Sequence, residues 1–369
     1  MHVDVEGAVV VVAKCPIKGA SKTRLSKHIS VGGNSHLLSK AMLCDVIASI
    51  SSCSYLSKVK KVLMYAPGTS EGEGIMSKIL SDELNLPHKS TPLSTSSASS
   101  STEETRRGEI SNHWILMPMR LSASTDELRS SNLGERLSTA LSSVRREVLC
   151  QRIDSSAAPQ TCNRSDTNKS PSENQQQPGV VFLGMDSPEI PLEEVAEALY
   201  AAQHLSESLI CPANDGGYGM IGVPAHANAR AVFSGVRWSN ELTALSQIKS
   251  LTDHSVSVRL GKLMNDIDEP NDLVQLAHRL CDLRNRCDVF IDNNENVTSS
   301  NMNEFPNYAE FSDSDCLSRN SKMHLARIPS QSSYAQFTWE CLLELQLILK
   351  KDAVDMQHHG RYFVAETGV

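Results

Sequence analysis

Residues Ala8–Leu25 read AVVVVAKCPIKGASKTRL, an apolar run over Ala8 to Ala13 that breaks into a cationic segment, Lys14 to Leu25. A buried strand running straight into a polar loop is the arrangement by which open α/β sheets present their ligand sites. A second stretch, VVFLGMDSPEIP (Val180–Pro191), repeats the pattern with the opposite charge. The first loop offers Lys14, Lys18, Lys22 and Arg24 beside Gly19, and the second offers one carboxylate, Asp186, at the carboxyl end of its strand. Cations facing a carboxylate suggest phosphate together with a metal ion.

Working outward, strands and helices alternate. Val9–Val12 is expected as a strand, Ser35–Ser51 as a helix with Leu38, Ala41, Met42, Asp45 and Ala48 at helical spacing, and Lys61–Ala66 as a strand ending at Pro67-Gly68. That is one βαβ unit. Val180–Met185, a helix with Pro191 in its first turn and Leu192, Val195, Leu199 and Ala202 on one face, and Ser208–Pro212 make a second. The expected fold is a three-layer α/β/α sandwich around a mainly parallel sheet.

Composition divides the rest. Lys89–Thr105 and Gln151–Gly179 are rich in Ser, Asn, Gln and Pro, cannot bury enough apolar area to offset ordering entropy, and read as mobile insertions in a domain spanning residues 1–287. A polar linker over 288–334 follows, and a helix-like apolar pattern returns at Ala335–Lys351 in a C-terminal segment, 335–369, expected to pack on its own domain. The 369 residues carry a net charge of -8, which argues against a nucleic-acid surface, because such a surface must displace counterions with a basic face. The start, MHVDVEG, has neither a basic nor an apolar leader region, and no apolar run is long enough to span a bilayer, so the expected location is cytoplasmic, without membrane contact. Ten cysteines without a CxxC pair are expected to be reduced.

The cationic loop lacks the Gly-Lys-Ser/Thr of a Walker A motif and has no GxGxxG. Its charges read either as a phosphate clamp, with Arg24 bidentate and Lys14 and Lys22 as point charges, or as a solvated basic loop. Asp186 reads either as a cap for the following helix or as a ligand to a hard divalent cation. Two further segments bear on that choice. In LICPANDGGYGMIGV (Leu209–Val223) a strand ends at Pro212, the Asp215-Gly216-Gly217 turn lets backbone approach a ligand beneath Tyr218, and Gly219–Val223 returns as a strand. In NDIDEPNDL (Asn265–Leu273) the acids Asp266 and Asp268 are read as facing opposite sides, so that one of them shares a cation with Asp186.

Taken in order, AKxPxxGxxKTRL (Ala13–Leu25), LGER (Leu133–Arg136), GxDSP (Gly184–Pro188), PAxDGGY (Pro212–Tyr218), Trp238-Ser239 and DIDxPxDL (Asp266–Leu273) resemble the radical-SAM/selenodomain-associated glycosyltransferases of GT-A fold. The likeness covers residues 8–280 without the two insertions. More distantly the chain is similar to the guanylyltransferases for molybdenum cofactor and for 2-phospholactate. The resemblance implies a Rossmann-like nucleotide-diphospho-sugar transferase fold and Mg2+ or Mn2+ held by Asp186 with Asp266 or Asp268. Donor phosphates are expected on Lys14, Gly19, Lys22, Thr23, Arg24, Gly216, Gly217 and Tyr218, with Asp186 and Asp215 as catalytic residues, Asp215 orienting the acceptor or acting as base; Glu135 and Arg136 read either as a supporting ion pair or as a surface salt bridge. The donor is expected to be a nucleotide sugar or a nucleoside triphosphate, the acceptor a small molecule. Glycosyl transfer from a nucleotide-diphosphate sugar is the expected reaction, with a nucleotidyltransferase and a non-catalytic nucleotide-binding adaptor as the alternatives. The chain departs from the nucleotidyltransferases in lacking their glycine-rich LAGGxGxRMG loop, and its DGGY runs into Gly219-Met220 where relatives usually carry a second aromatic and Leu.

Overall fold

A computed structural model describes residues 7–28, 31–91, 113–119, 133–149, 178–294, 334–350 and 362–365. Its elements in chain order begin with β1 (Gly7–Lys14), α1 (Ser35–Ser52), β2 (Lys60–Ala66), α2 (Ser70–Lys78), β3 (His88–Ser90), β4 (Trp114–Pro118), α3 (Leu133–Val144), β5 (Gly179–Gly184) and α4 (Leu192–Tyr200). They continue with β6 (Glu207–Pro212), β7 (Tyr218–Val223), α5 (Ala229–Val232), α6 (Thr243–Asp253), β8 (Ser257–Leu260), α7 (Pro270–Asn294), α8 (Gln336–Glu344), β9 (Ile348–Lys350) and β10 (Tyr362–Val364).

The first eight strands form one sheet in the order β3-β4-β2-β1-β5-β7-β6-β8. All neighbours run parallel except β7, which is antiparallel to both β5 and β6. The expected β1-α1-β2 unit is present, with Ala8–Lys14 in register with Lys60–Ala66. β5 and β6 also point the same way, but β7 lies between them, because the glycine turn folds the chain straight back after β6.

Strand β1 shows why its sequence is apolar at every position from Ala8 to Ala13. Val9, Val11 and Ala13 project into one core with α1, α2 and α4, while Ala8 and Val10 project into a second with α3, α5 and α6. Side chains alternate with period two, so a strand covered on both faces has no polar side. This is the three-layer α/β/α sandwich expected. A third apolar cluster joins α1 to α7 and α8 through Leu38, Met42, Leu276, Leu280, Trp339 and Leu342, and Leu25 of the cationic loop is buried in it.

The C-terminal segment departs from a single helix. α8 ends at Glu344, and Ile348–Lys350 pairs instead with Tyr362–Val364 as an antiparallel ribbon. Gln346 takes a left-handed φ of 56° while its N–H donates to Leu343 O and that of Leu347 to Leu342 O, a double bond pattern that closes a helix end. The amphipathic pattern read through this stop because an apolar strand residue such as Ile348 satisfies helical spacing equally well.

Lys89 and Ser90, the first residues of the stretch read as an insertion, belong to edge strand β3; residues 92–105 and 151–177 of the two insertions, and 295–333 of the linker, lie outside the described residues. α7 carries the folded region to Asn294, beyond the boundary expected at 287. No described helix is long and apolar enough to cross a membrane. The described cysteines at 15, 44, 53, 211, 281 and 341 are all buried and free.

Candidate functional site

The site lies where β1, β5 and β6 deliver their carboxyl ends. After Lys14 the chain makes a compact loop whose organiser is Ser21, a buried residue that sequence reading passed over. Its hydroxyl donates to Cys15 O (2.7 Å) and accepts from the Ile17 N–H (2.9 Å), while its own carbonyl accepts from the Ser35 hydroxyl (2.8 Å). Gly19 supplies a positive φ of 76° within this turn. Lys14 spans the loop, its ammonium donating to Ala20 O at 2.6 Å. Burying Leu25 against α7 anchors the far end, a contribution of about 1.5–3 kcal/mol.

From β5, Met185 stays buried and Asp186 emerges, its carbonyl accepting the Ile267 N–H at 3.1 Å. That bond brings the Asp266–Asp268 segment alongside. Asp186, Asp266 and Asp268 each offer a carboxylate oxygen, and the three lie within 4.8 Å of one another. The expectation that Asp266 and Asp268 face opposite sides is therefore wrong. Residues two apart in an extended chain share a face, and it is Ile267 between them that turns into the core. Asp186 lies two residues past the end of β5 and does not cap α4, whose N-cap is Pro191, without a side-chain cap.

Lys22 meets these acids. Its Nζ lies 2.9 Å from Asp186 Oδ1 and 2.5 Å from Asp268 Oδ1, with the side chain 8% exposed. Burial alone works to lower its pKa, but attraction by Asp186, Asp268 and Asp266 outweighs that and holds it above the ordinary lysine value. Asp266 is pushed the other way. Burial first, then repulsion by Asp268, Asp186 and Asp215, raises it to about 7 against the opposing pull of Lys22. Its Oδ1 is buried without a hydrogen-bond partner.

A cavity of about 220 Å³ opens here, lined among others by Lys14, Lys22, Thr23, Arg24, Asp186 and Asp268. Arg24 is exposed and pairs with Glu269 at 3.3 Å. Gly19, Asp215, Gly216, Gly217 and Tyr218 do not line the cavity. In the turn, Asp215 Oδ1 accepts the Gly217 N–H at 2.8 Å, and Gly216 has a φ of 83° with the Glu241 carbonyl where a β-carbon would stand. Tyr218 packs against Trp238, and its hydroxyl donates to Gln247 at 3.1 Å, so the phenol is committed to the scaffold. Gly219 is small because Met264 Sδ stands 2.8 Å from the place of a β-carbon. Glu135 and Arg136 fall in the first turn of α3.

Sequence reading also missed the network that fixes the acidic segment. Asn214 donates to Asn265 (3.1 Å), Asn265 to Glu189 (3.2 Å), and Glu189 is gripped by Arg279 of α7 through Nε at 3.0 Å and Nη2 at 2.5 Å. Asp272 accepts from the N–H groups of Asp268 and Glu269 at 3.2 and 2.8 Å. Only that last device had a local signal, since Pro270 at the first helical position with an acid two residues later marks a capped start.

Residues 112–240 match the family described as "Uncharacterized protein conserved in bacteria (DUF2064)". The match takes in Asp186 and the Asp215 turn but neither the cationic loop nor Asp266 and Asp268. No curated protein matches the chain. Among solved structures, a protein from Desulfovibrio desulfuricans G20 described as a "putative nucleotide-diphospho-sugar transferase" superposes with a TM-score of 0.50 at 19% identity, over 73% of this chain and 86% of its own. The chain shares the α/β fold of that structure. A 4-diphosphocytidyl-2C-methyl-D-erythritolsynthase from Anaerococcus prevotii DSM 20548 is also similar, at 10% identity and a TM-score of 0.34, over 72% of this chain and 92% of its own.

Proposed function

We propose that the protein is a cytoplasmic, divalent-metal-dependent transferase that moves a glycosyl group from a nucleotide-diphosphate sugar to a small-molecule acceptor. One observation carries the reading: three carboxylates from two separate segments converge beside a cationic loop at the carboxyl edge of a GT-A-like sheet, and one of their oxygens is buried without a partner. Burying an ionised oxygen without compensation is costly, and a hard cation is the compensation that carboxylates suit.

Asp186, Asp266 and Asp268 would hold Mg2+ or Mn2+. When bound, such an ion supplies positive charge to the donor's diphosphate and to the leaving group. The chain's own residues supply the rest. Lys14, Lys22, Thr23 and Arg24 of the loop face the donor phosphates, with Gly19 giving the turn its close approach, and Arg24 trades its exposed contact with Glu269 for them. Gly216 and Gly217 keep the neighbouring turn free of side chains, and Tyr218 holds that turn from behind. Asp215, whose Oδ1 is engaged by the Gly217 N–H, keeps Oδ2 for orienting or deprotonating an acceptor hydroxyl.

The test is to incubate the full chain with Mg2+ or Mn2+ and a panel of nucleotide-diphosphate sugars and nucleoside triphosphates, and to identify what is released. A nucleoside diphosphate is the expected product. Pyrophosphate would make the protein a nucleotidyltransferase, and tight nucleotide binding without turnover would make it a binding adaptor. Full turnover by Asp186→Ala would remove Asp186 from the metal.

A further inference from the structure

Lys22 is held in a costly way. It is a non-glycine residue at φ 49°, a conformation that L side chains adopt only where the surroundings over-determine it. Those surroundings are visible: the Ser21 bonds before it, the Leu25 N–H donating to Lys22 O at 3.0 Å, and buried Leu25 after it. The effect is to turn a long cationic side chain inward, so that its ammonium lies between Asp186 Oδ1 and Asp268 Oδ1 at the wall of the cavity. Lys14 and Arg24, on the same loop, do neither.

From this geometry we infer that Lys22 is a built-in counter-ion whose ammonium and the proposed divalent cation exclude one another on Asp186 and Asp268, so that cation binding releases Lys22 toward the donor phosphates. The inference rests on the metal reading given above and adds an exchange to it. A divalent cation approaches carboxylate oxygens to about 2.0–2.6 Å, and the ammonium already engages one oxygen on each of two of the three carboxylates. The two positive charges repel at that separation, so one must leave. Lys22 has somewhere to go, because it also lines the cavity with Lys14, Thr23 and Arg24. The exchange also gives Asp266 a distinct part. It belongs to the carboxylate cluster but makes no bond to Lys22, which leaves its Oδ1 for the incoming ion.

Two variants test this by binding rather than turnover. Lys22→Met keeps the stem and removes the charge, and Lys22→Gln does the same with a polar end; both retain the backbone cost of a β-carbon at φ 49°. Mn2+ is titrated by electron paramagnetic resonance into the full chain, wild type and both variants, with Asp266→Asn as reference. Both Lys22 variants are expected to bind Mn2+ at least tenfold more tightly than wild type. In EDTA they are expected to melt below wild type, with saturating Mn2+ closing the gap. Equal or weaker Mn2+ binding by both variants, with Asp266→Asn impaired, overturns the counter-ion and leaves the metal reading standing. No Mn2+ binding by wild type or either Lys22 variant overturns both.

Discussion

Asp45 and Asp266 are both carboxylates taken out of water, and burial raises both, to about 6 and about 7. Their surroundings otherwise have little in common. Asp45 sits on α1 and accepts the N–H groups of Phe337 (2.9 Å) and Thr338 (2.7 Å), standing in for the cap that Ala335 cannot give α8. Asp266 has an oxygen with no donor at all, beside two more acids and a lysine. A buried carboxylate whose lone pairs are filled by backbone donors is a structural fastener. One left unfilled, among like charges, is a group that a bound cation or a proton would compensate, which marks it as a site candidate. The contrast separates scaffold from site without reference to conservation.

The sharpest way to break that contrast is to neutralise each acid. Asp266→Asn is expected to reduce transfer by at least about a hundredfold, given several kcal/mol of charge stabilisation through the site, while leaving the melting temperature unchanged or higher because a buried charge is gone. If Asp266→Asn kept its turnover and instead lost stability, the two acids would belong to one class. Asp45→Ala is expected to do the reverse. It strands two N–H groups, which costs about 1–3 kcal/mol of unfolding free energy by urea titration, with Mn2+ binding unmoved and amide exchange faster in α8.

The pH dependence of Asp45 carries a definite sign. Its carboxyl is raised from 3.8 to about 6 on folding, so the folded state holds a proton more tightly than the unfolded one. Its contribution to stability is then fully present below the unfolded value and is lost as pH rises through about 6. The stability difference between wild type and Asp45→Ala is accordingly expected to be larger at pH 4.5 than at pH 7, with a flat difference counting against this account. The smallest effect belongs to Arg24. Arg24→Gln breaks an exposed pair with Glu269 and is expected to change stability by less than about 0.5 kcal/mol, yet to raise the donor KM if the loop meets phosphate. A stability loss of several kcal/mol would make the loop a fastener as well.

Much of the frame was readable along the chain. Runs such as Val9–Val12 and Val180–Leu183 announced strands covered on both faces, and Asp215-Gly216-Gly217 announced the tight return into β7. The common face of Asp266 and Asp268 follows from strand period alone. The end of α8 has no such signal, because a left-handed Gln346 has no local signature comparable to glycine. Ser21, Asn265, Glu189 and Arg279 were equally silent, since each is an ordinary polar residue whose role comes from a partner elsewhere in the fold, 90 positions away for Arg279 and Glu189.

What the sequence determined by itself was periodic and local: the alternation of strands and helices, the turns, and which loops carry cations or acids. What only the tertiary structure decided was pairing. Whether Lys22 faces water or 246 positions across to Asp268, and whether Asp45 faces water or 293 positions across to Thr338, depends on how three apolar clusters close around the sheet. Charge and burial trade off only once that packing fixes the distances between them.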